Sequence, residues 1–336
     1  MGPDELRADL VLEGGGVKGI GLVGATGELA AAGYRFERIA RSSAGSIVAA
    51  CLAALLRAGE PLDRLQDIAR SIDYSKFRDR GPLGRTLRFL GPVVDGLGMA
   101  FQNGIFEGAY LHRWLSGTLA DLGVRTFGDL RRTDPKSALP SEQEYRLVVT
   151  ASDVSRQRLV RLPWDYATYG LDPDEQLVAD AVRASASIPF FFEPVTLRAR
   201  GGEVSTLVDG GMLSNFPVGL FDRTDGHEPR WPTFGVRLSA KRGQQVTAPV
   251  TGPISMTLAV VETMTMACDA RHIDDPAVQA RSIFVDTSDV SPVDFAIRRE
   301  QQEDLLAHGR ASARDFLRTW DFQRWLATRA TVGVTS

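Results

Sequence analysis

The 336-residue chain predicts an α/β fold with a mainly parallel central sheet. Short apolar strands alternate with Ala-rich helices over residues 10–57, each of two glycine-bearing turns falls where a strand passes into a helix, and strand character returns repeatedly beyond residue 144. Residues 10–13 read as a short apolar strand running into the glycines of 14–19. Residues 20–32 read as a helix with small faces suited to close packing on a sheet, stopped by Gly33. Residues 38–42 form the next strand and 44–57 the next helix, ended by Gly59 and Pro61. This is a βαβ unit, so its crossover is expected to be right-handed and its strands parallel. Ligands bind such sheets at the carboxyl ends of the strands, where both glycine-bearing turns lie.

From residue 74 to 110 the pattern breaks into glycines, aromatics and short apolar pieces. Two readings stay open for it: a mobile lid, or irregular helical packing over a sheet edge. Residues 130–144 are a polar surface linker with two prolines. Strands follow over 145–152, 157–162, 204–209 and 231–238, with a helix over 175–186 and long C-terminal helices over 255–271 and 298–330. The expected division is a catalytic domain over 1–240 and a helical extension over 241–336 packed on it.

A net charge of −3 leaves no basic footprint for nucleic acid. The basic residues are nearly all arginine, with lysine only at Lys18, Lys76, Lys136 and Lys241, and the arginines are spread along the chain rather than clustered on a phosphate-binding patch. Cys51 and Cys268 lie far apart and read as reduced, buried thiols without metal spacing, so no disulfide framework is expected, and no cluster of Asp, Glu and His has ligand spacing, so no metal or other cofactor is expected. The acidic start Met1-Gly2-Pro3-Asp4-Glu5 lacks the basic and apolar regions of a signal peptide, which predicts a cytoplasmic protein. The longest apolar run, 47–56, is about half of the roughly 20 residues that span a bilayer, so any membrane contact is expected to be peripheral.

The chemistry resides in three motifs. Ser43 sits where the strand 38–42 meets the helix 44–57, in Arg41-Ser42-Ser43-Ala44-Gly45, a sharp turn that holds a serine hydroxyl at a helix N-terminus. Upstream, Gly14-Gly15-Gly16-Val17-Lys18-Gly19 opens a helix and offers backbone N–H groups to an anion. Downstream, Leu207-Val208-Asp209-Gly210-Gly211 ends an apolar strand in a carboxylate on the same rim, with Asn215 placed to brace the turn. Alone, an Asp-Gly-Gly is a common turn, and the spacing of Gly14, Gly16 and Gly19 is shared with dinucleotide-binding folds.

Together and in this order, the motifs resemble the patatin-like phospholipase family. The stretch 184–195, Gly104-Ile105-Phe106-Glu107-Gly108 and Thr126-Phe127-Gly128-Asp129-Leu130 also resemble its bacterial members, and the resemblance runs from about residue 10 to 238. It implies a three-layer α/β/α lipid acyl hydrolase. Ser43 would be the nucleophile and Asp209 its partner in a dyad without histidine, the loop from Gly14 to Gly19 would form the oxyanion hole, and Ala44, Gly45, Gly210, Gly211 and Asn215 would support the two turns. The implied partner is a phospholipid or acyl glyceride at a membrane or micelle surface, with the aromatic stretch 83–106, including Phe89 and Phe101, covering the site. One departure stands out: the family usually carries glycine two residues before the nucleophile, and here that residue is Arg41. Its side chain is expected either to leave the strand–helix crossing or to point into the cleft and hold an anionic substrate group.

Two alternatives, a full triad and, from another enzyme class, a dinucleotide-binding domain, are weaker on residue grounds. A Ser-Asp-His triad would need His227, His272 or His308, which lie in charged or loop-like surroundings, as the fourth histidine, His112, precedes Asp209 in the chain. A dinucleotide site needs an acidic residue at the end of the second strand, where Ser42 and Ser43 stand instead, with Glu37 before the strand. A silent lipid-binding protein of the same fold is a third reading, motivated by Arg41.

Overall fold

The computed structural model describes residues 6–78, 106, 108–189, 191–238, 275–291 and 294–332, with isolated positions between 250 and 264. Most of the lid expected over 74–110, namely residues 79–105 with Phe89 and Phe101, and most of the helix expected over 255–271, including Cys268, lie outside the described residues.

The strands are β1 (Leu6–Leu12), β2 (Tyr34–Ser42), β3 (Leu147–Asp153), β4 (Arg158–Leu162), β5 (Val195–Arg198), β6 (Val204–Asp209), β7 (Thr233–Arg237) and β8 (Ser282–Phe284). The helices are α1 (Ile20–Ala31), α2 (Ser46–Ala58), α3 (Arg64–Ser71), α4 (Ala109–Asp121), α5 (Val178–Ser185), α6 (Pro276–Ala280), α7 (Arg299–Thr319) and α8 (Phe322–Val332). One sheet runs in the order β5-β6-β3-β2-β1-β7-β8, with β4 also paired to β3. Its centre, from β3 through β2, β1 and β7 to β8, is parallel, and β4, β5 and β6 add an antiparallel side.

The pleat sorts the sheet residues into two cores. Leu10, Leu12, Ile39, Leu147 and Val149 face the side packed with α1, α2, α4, α5 and α7. Val11, Ala40 and Val148 face the other side, against Phe216, Val218, Phe221 and Val278. Strands wet on neither face read as continuous apolar runs, which is why β1 and β3 are plain in the sequence. The α/β fold class expected from the sequence is thus the one observed.

Helix α1 is buried almost all round, as a helix between two layers must be. On its outer side α7 crosses it backbone to backbone. A Cβ on Gly24 would lie 2.1 Å from the Leu306 carbonyl oxygen, and one on Gly309 would lie 2.0 Å from that of Gly21. Helix α2 stops where Gly59, at φ +69°, returns its N–H to the Leu55 carbonyl.

Several expected boundaries move for identifiable reasons. The helix expected over 298–330 is two helices, because Trp320 is extended and stacks on Phe316, 5.3 Å between ring centroids. Asp321 then accepts from the Arg324 N–H to open α8. The helix expected from residue 175 begins at Val178, because Leu177 is extended and bridges Thr126. Cys51 is buried, and burial pushes its thiol up to about 12. Because α7 approaches α1 through glycine backbone, Gly309→Ala should destabilise the fold by about 1–3 kcal/mol through overpacking. Chemical denaturation checks this, and an unchanged midpoint would contradict the packing described.

Candidate active site

Strand β3 brings the site together. Thr150 pairs with Ser42 of parallel β2, and the next residue, Ala151, pairs with Asp209 of antiparallel β6. Since β4 pairs with residues 149–153 of β3, β2 and β6 share the opposite edge and meet there with their carboxyl ends facing. Ser43 and Asp209, 166 residues apart, therefore touch: the Ser43 hydroxyl donates to Asp209 Oδ2 at 2.6 Å.

The serine is held by a strained turn. Ser43 has φ +60°, a left-handed conformation unusual for a residue with a Cβ, and the strain of such a position is stored where structure around it over-determines it. The turn Ser43–Gly45, which includes Ala44, leads into α2, and the Ser46 hydroxyl donates to the Ser43 carbonyl at 2.6 Å. Ser43 is 6% exposed, so its hydroxyl is largely withdrawn from water.

Asp209 is 3% exposed, and burial pushes its carboxyl up to about 6 against the bonds from Ser43 and the Gly211 N–H and the positive charge of Arg41. Its other oxygen, Oδ1, accepts from the Gly211 N–H at 2.7 Å. Close approach explains the glycine pair. A Cβ on Gly210 would lie 2.3 Å from the Thr150 carbonyl oxygen, and one on Gly211 would lie 3.0 Å from Asn215 Oδ1.

The glycine loop lies against the serine. After β1, residues Gly16–Gly19 form a 3-10 turn that includes Val17 and Lys18, and Gly16 adopts φ +57°. The first N–H groups of such a turn have no partner within it. A Cβ on Gly14 would lie 2.0 Å from Asn215 Oδ1 and 2.7 Å from Ser43 Cβ, and one on Gly15 would lie 2.6 Å from Leu238 Cδ1. Asn215 ties the two motifs: its Nδ2 donates to the Gly14 carbonyl at 3.3 Å. Glu13 anchors the start of the loop by accepting from the Leu238 N–H at 2.5 Å and from Arg237 Nη2 at 2.9 Å.

Arg41 takes neither of the two expected courses. It is wholly buried inside the strand–helix crossing, and a Cβ on Gly45 would lie 1.5 Å from its Nη2. The guanidinium fills the volume that a side chain at position 45 would need. Its Nε donates to the Ser42 carbonyl at 2.9 Å, while Nη1 and Nη2 meet no acceptor among the described residues.

An apolar cleft starts beside the glycine turn at Gly16 and Val17 and runs past Ile47 and Val48 of α2. Leu111, Phe192 and Phe295 line its far side. Sequence reasoning missed this cleft because its walls come from segments scattered from residue 16 to 295 that no local pattern joins into one surface. The aromatic run 190–192 was the nearest signal.

The histidines lie apart from Ser43 in their bonding. His112 pairs with Asp180 at 2.7 Å, His227 and His308 bond to the carbonyls of Asp225 and Asp286, and His272 lies outside the described residues. Among the described residues no cluster of His, Cys, Asp and Glu could hold a metal ion, and no helix is long and apolar enough to cross a membrane. Glu37, before the end of β2, is engaged by Arg132 and Arg7.

Known proteins resemble this chain along most of its length. The curated protein YqhO of Bacillus subtilis strain 168, itself uncharacterized, is 35% identical over 314 residues, covering 94% of this chain and 99% of YqhO. Among solved structures, VipD from Legionella pneumophila has a TM-score of 0.49 at 16% identity, covering 94% of this chain and 67% of VipD. The type III effector ExoU, from Pseudomonas aeruginosa, has a TM-score of 0.47 at 17% identity, covering 96% of this chain and 54% of ExoU. The family model of patatin-like phospholipases matches residues 10–222, and the chain belongs to that family.

Proposed function

We propose that the protein is a lipid acyl hydrolase in which Ser43 is the nucleophile and Asp209 the general base. The observation that carries this reading is the 2.6 Å bond from the Ser43 hydroxyl to Asp209 beside the glycine turn. An acyl ester enters with its carbonyl carbon against Ser43 Oγ. As the oxygen attacks, its proton passes to Asp209 Oδ2, and the carbonyl becomes a tetrahedral oxyanion. Within the turn from Gly14 to Gly19, the Gly14 N–H is taken by the Asn215 carbonyl and that of Lys18 by the Gly15 carbonyl, so the N–H groups of Gly15, Gly16 and Val17, at the start of a helix, stabilise that charge without reorganising. Collapse expels the alcohol, which takes the proton from Asp209. Water, deprotonated by the same carboxylate, then attacks the acyl-serine; as the acid leaves, Ser43 Oγ takes the proton from Asp209 and both groups are restored.

A carboxylate is normally a weak base, and two features strengthen this one. Burial raises it to about 6, nearer the working range of a general base, and the bond from Gly211 fixes the oxygen that does not face the serine. The apolar cleft next to the turn supports an acyl chain as the group bound, with a phospholipid or acyl glyceride as the substrate.

Ser43→Ala should lower hydrolysis of a p-nitrophenyl ester by at least about 10³-fold with the fold intact, and Asp209→Asn by roughly 10²-fold or more, since an amide keeps the shape but cannot accept the proton. Equal activity of the Ala variant and wild type would refute the assignment. Product analysis by mass spectrometry on mixed lipids then identifies the ester cleaved.

The base must be ionised to act. Activity should therefore rise with pH through a midpoint near 6 and level off above it, a limb that kcat/KM between pH 4.5 and 8.5 would reveal. In the cleft, Val48→Trp should cut hydrolysis of long-chain esters by about tenfold or more while sparing an acetyl ester. A uniform loss across chain lengths would place the acyl chain elsewhere.

A further inference from the structure

Arg41 stands where the family carries glycine, and its burial is costly. Taking a guanidinium out of water needs compensation from hydrogen bonds and a counter-ion. Here one donor of the side chain is matched, Nε on the Ser42 carbonyl, and both terminal nitrogens meet no acceptor among the described residues. Burial lowers the guanidinium to about 9, opposed by the negative charges of Glu13 and Asp209, and it stays cationic at neutral pH. A side chain kept for packing alone would be better served by an apolar residue of the same length.

The charges around Asp209 leave Arg41 as the cation that acts on it. On β1, Glu13 is engaged by Arg237 and the Leu238 N–H. On β3, Asp153 accepts from the Tyr169 hydroxyl and the Arg156 N–H. On α5, Arg183 donates to the Ser187 hydroxyl and the Glu193 carbonyl, and Asp180 pairs with His112. Lys18, in the glycine turn, acts on Asp286. Along β3, Val149 pairs with Arg41 and Ala151 with Asp209, so the two side chains leave the same face of the sheet two positions apart, and the positive charge that favours ionised Asp209 comes from Arg41.

We propose that Arg41 is a positioning residue of the Ser43–Asp209 pair: pinned on the Ser42 carbonyl and seated in the space left by Gly45, its buried charge keeps the Asp209 carboxylate ionised so that it can take the serine proton. The proposal rests on the dyad reading above. It makes Arg41 a residue retained for the site at the expense of the fold, and it gives Gly45 a second role, since any side chain there would displace the guanidinium.

The test is the rate at which a fluorophosphonate probe labels Ser43 between pH 4.5 and 8.5, with thermal melting, in wild type, Arg41→Met, Arg41→Lys and Ser43→Ala. Arg41→Met keeps the length and removes the charge, so it should melt at the same or a higher temperature. Its labelling midpoint should move up by about one pH unit, which relative to its own plateau slows labelling roughly fivefold at pH 6. Arg41→Lys, which keeps a charge without the planar fork, should have a midpoint between the two. A Met variant with the wild-type midpoint overturns the proposal. So does one that fails to fold, or that melts lower and loses rate equally at every pH, because Arg41 would then be a packing residue. Wild type that the probe labels no faster than Ser43→Ala overturns the dyad reading itself, and this proposal with it.

Discussion

The left-handed backbone at Ser43 is the constraint on which the rest of the site depends. It exists because β2 must end abruptly: one residue further along β3, the same edge is taken by β6 arriving from the opposite direction. The chain at Ser43 has to leave the sheet at once and start α2. The other requirements follow from that collision. Gly210 must lack a side chain because it lies on the Thr150 carbonyl, Gly14 because it lies on Ser43 and Asn215, and Gly45 because Arg41 occupies its flank. These glycines are thus places where three backbones and one guanidinium share a space that Cβ atoms would fill.

The electrostatics of that space are balanced between two buried charges. Burial works against both the Asp209 carboxylate and the Arg41 guanidinium, raising the first and lowering the second, and each charge partly relieves the other. An apolar pair would suit the fold better, since buried ions seldom recover their lost hydration. Under the proposed mechanism, a carboxylate that burial raises to about 6 is a chemical asset, and local instability at such a position is a common accompaniment of function.

Much of this was legible in the sequence. The strands β1 and β2, the glycines between them, the serine at the elbow and the carboxylate at the end of β6 each carry a local signature, because a sharp turn or an apolar strand is encoded by the residues that form it. What was not legible depends on contacts remote in sequence. Strand β8 is three residues long and exists by pairing with β7, and β5 exists by pairing with β6, so neither has a pattern of its own. The course of Arg41 was expected to lead out of the crossing or into the cleft. The space that admits it is a missing atom four residues on, at Gly45, and no local propensity records that vacancy. The apolar cleft draws Phe295 from beyond the residues the family model matches, and the ring packs on Phe191 and Phe77 at 5.6 and 5.8 Å between centroids. Patterning along the chain marks such a ring as buried without saying what it surrounds.

The central claim is that an acyl group passes through Ser43. The most direct measurement is to mix the protein with a long-chain p-nitrophenyl ester, quench in acid within the first turnovers, digest, and locate the acyl mass increment by peptide mass spectrometry. The account predicts the increment on the peptide carrying Ser43, at that residue, and its disappearance as hydrolysis completes. Product formed with no acyl-peptide at any quench time, or with the acyl group on another residue, would contradict it.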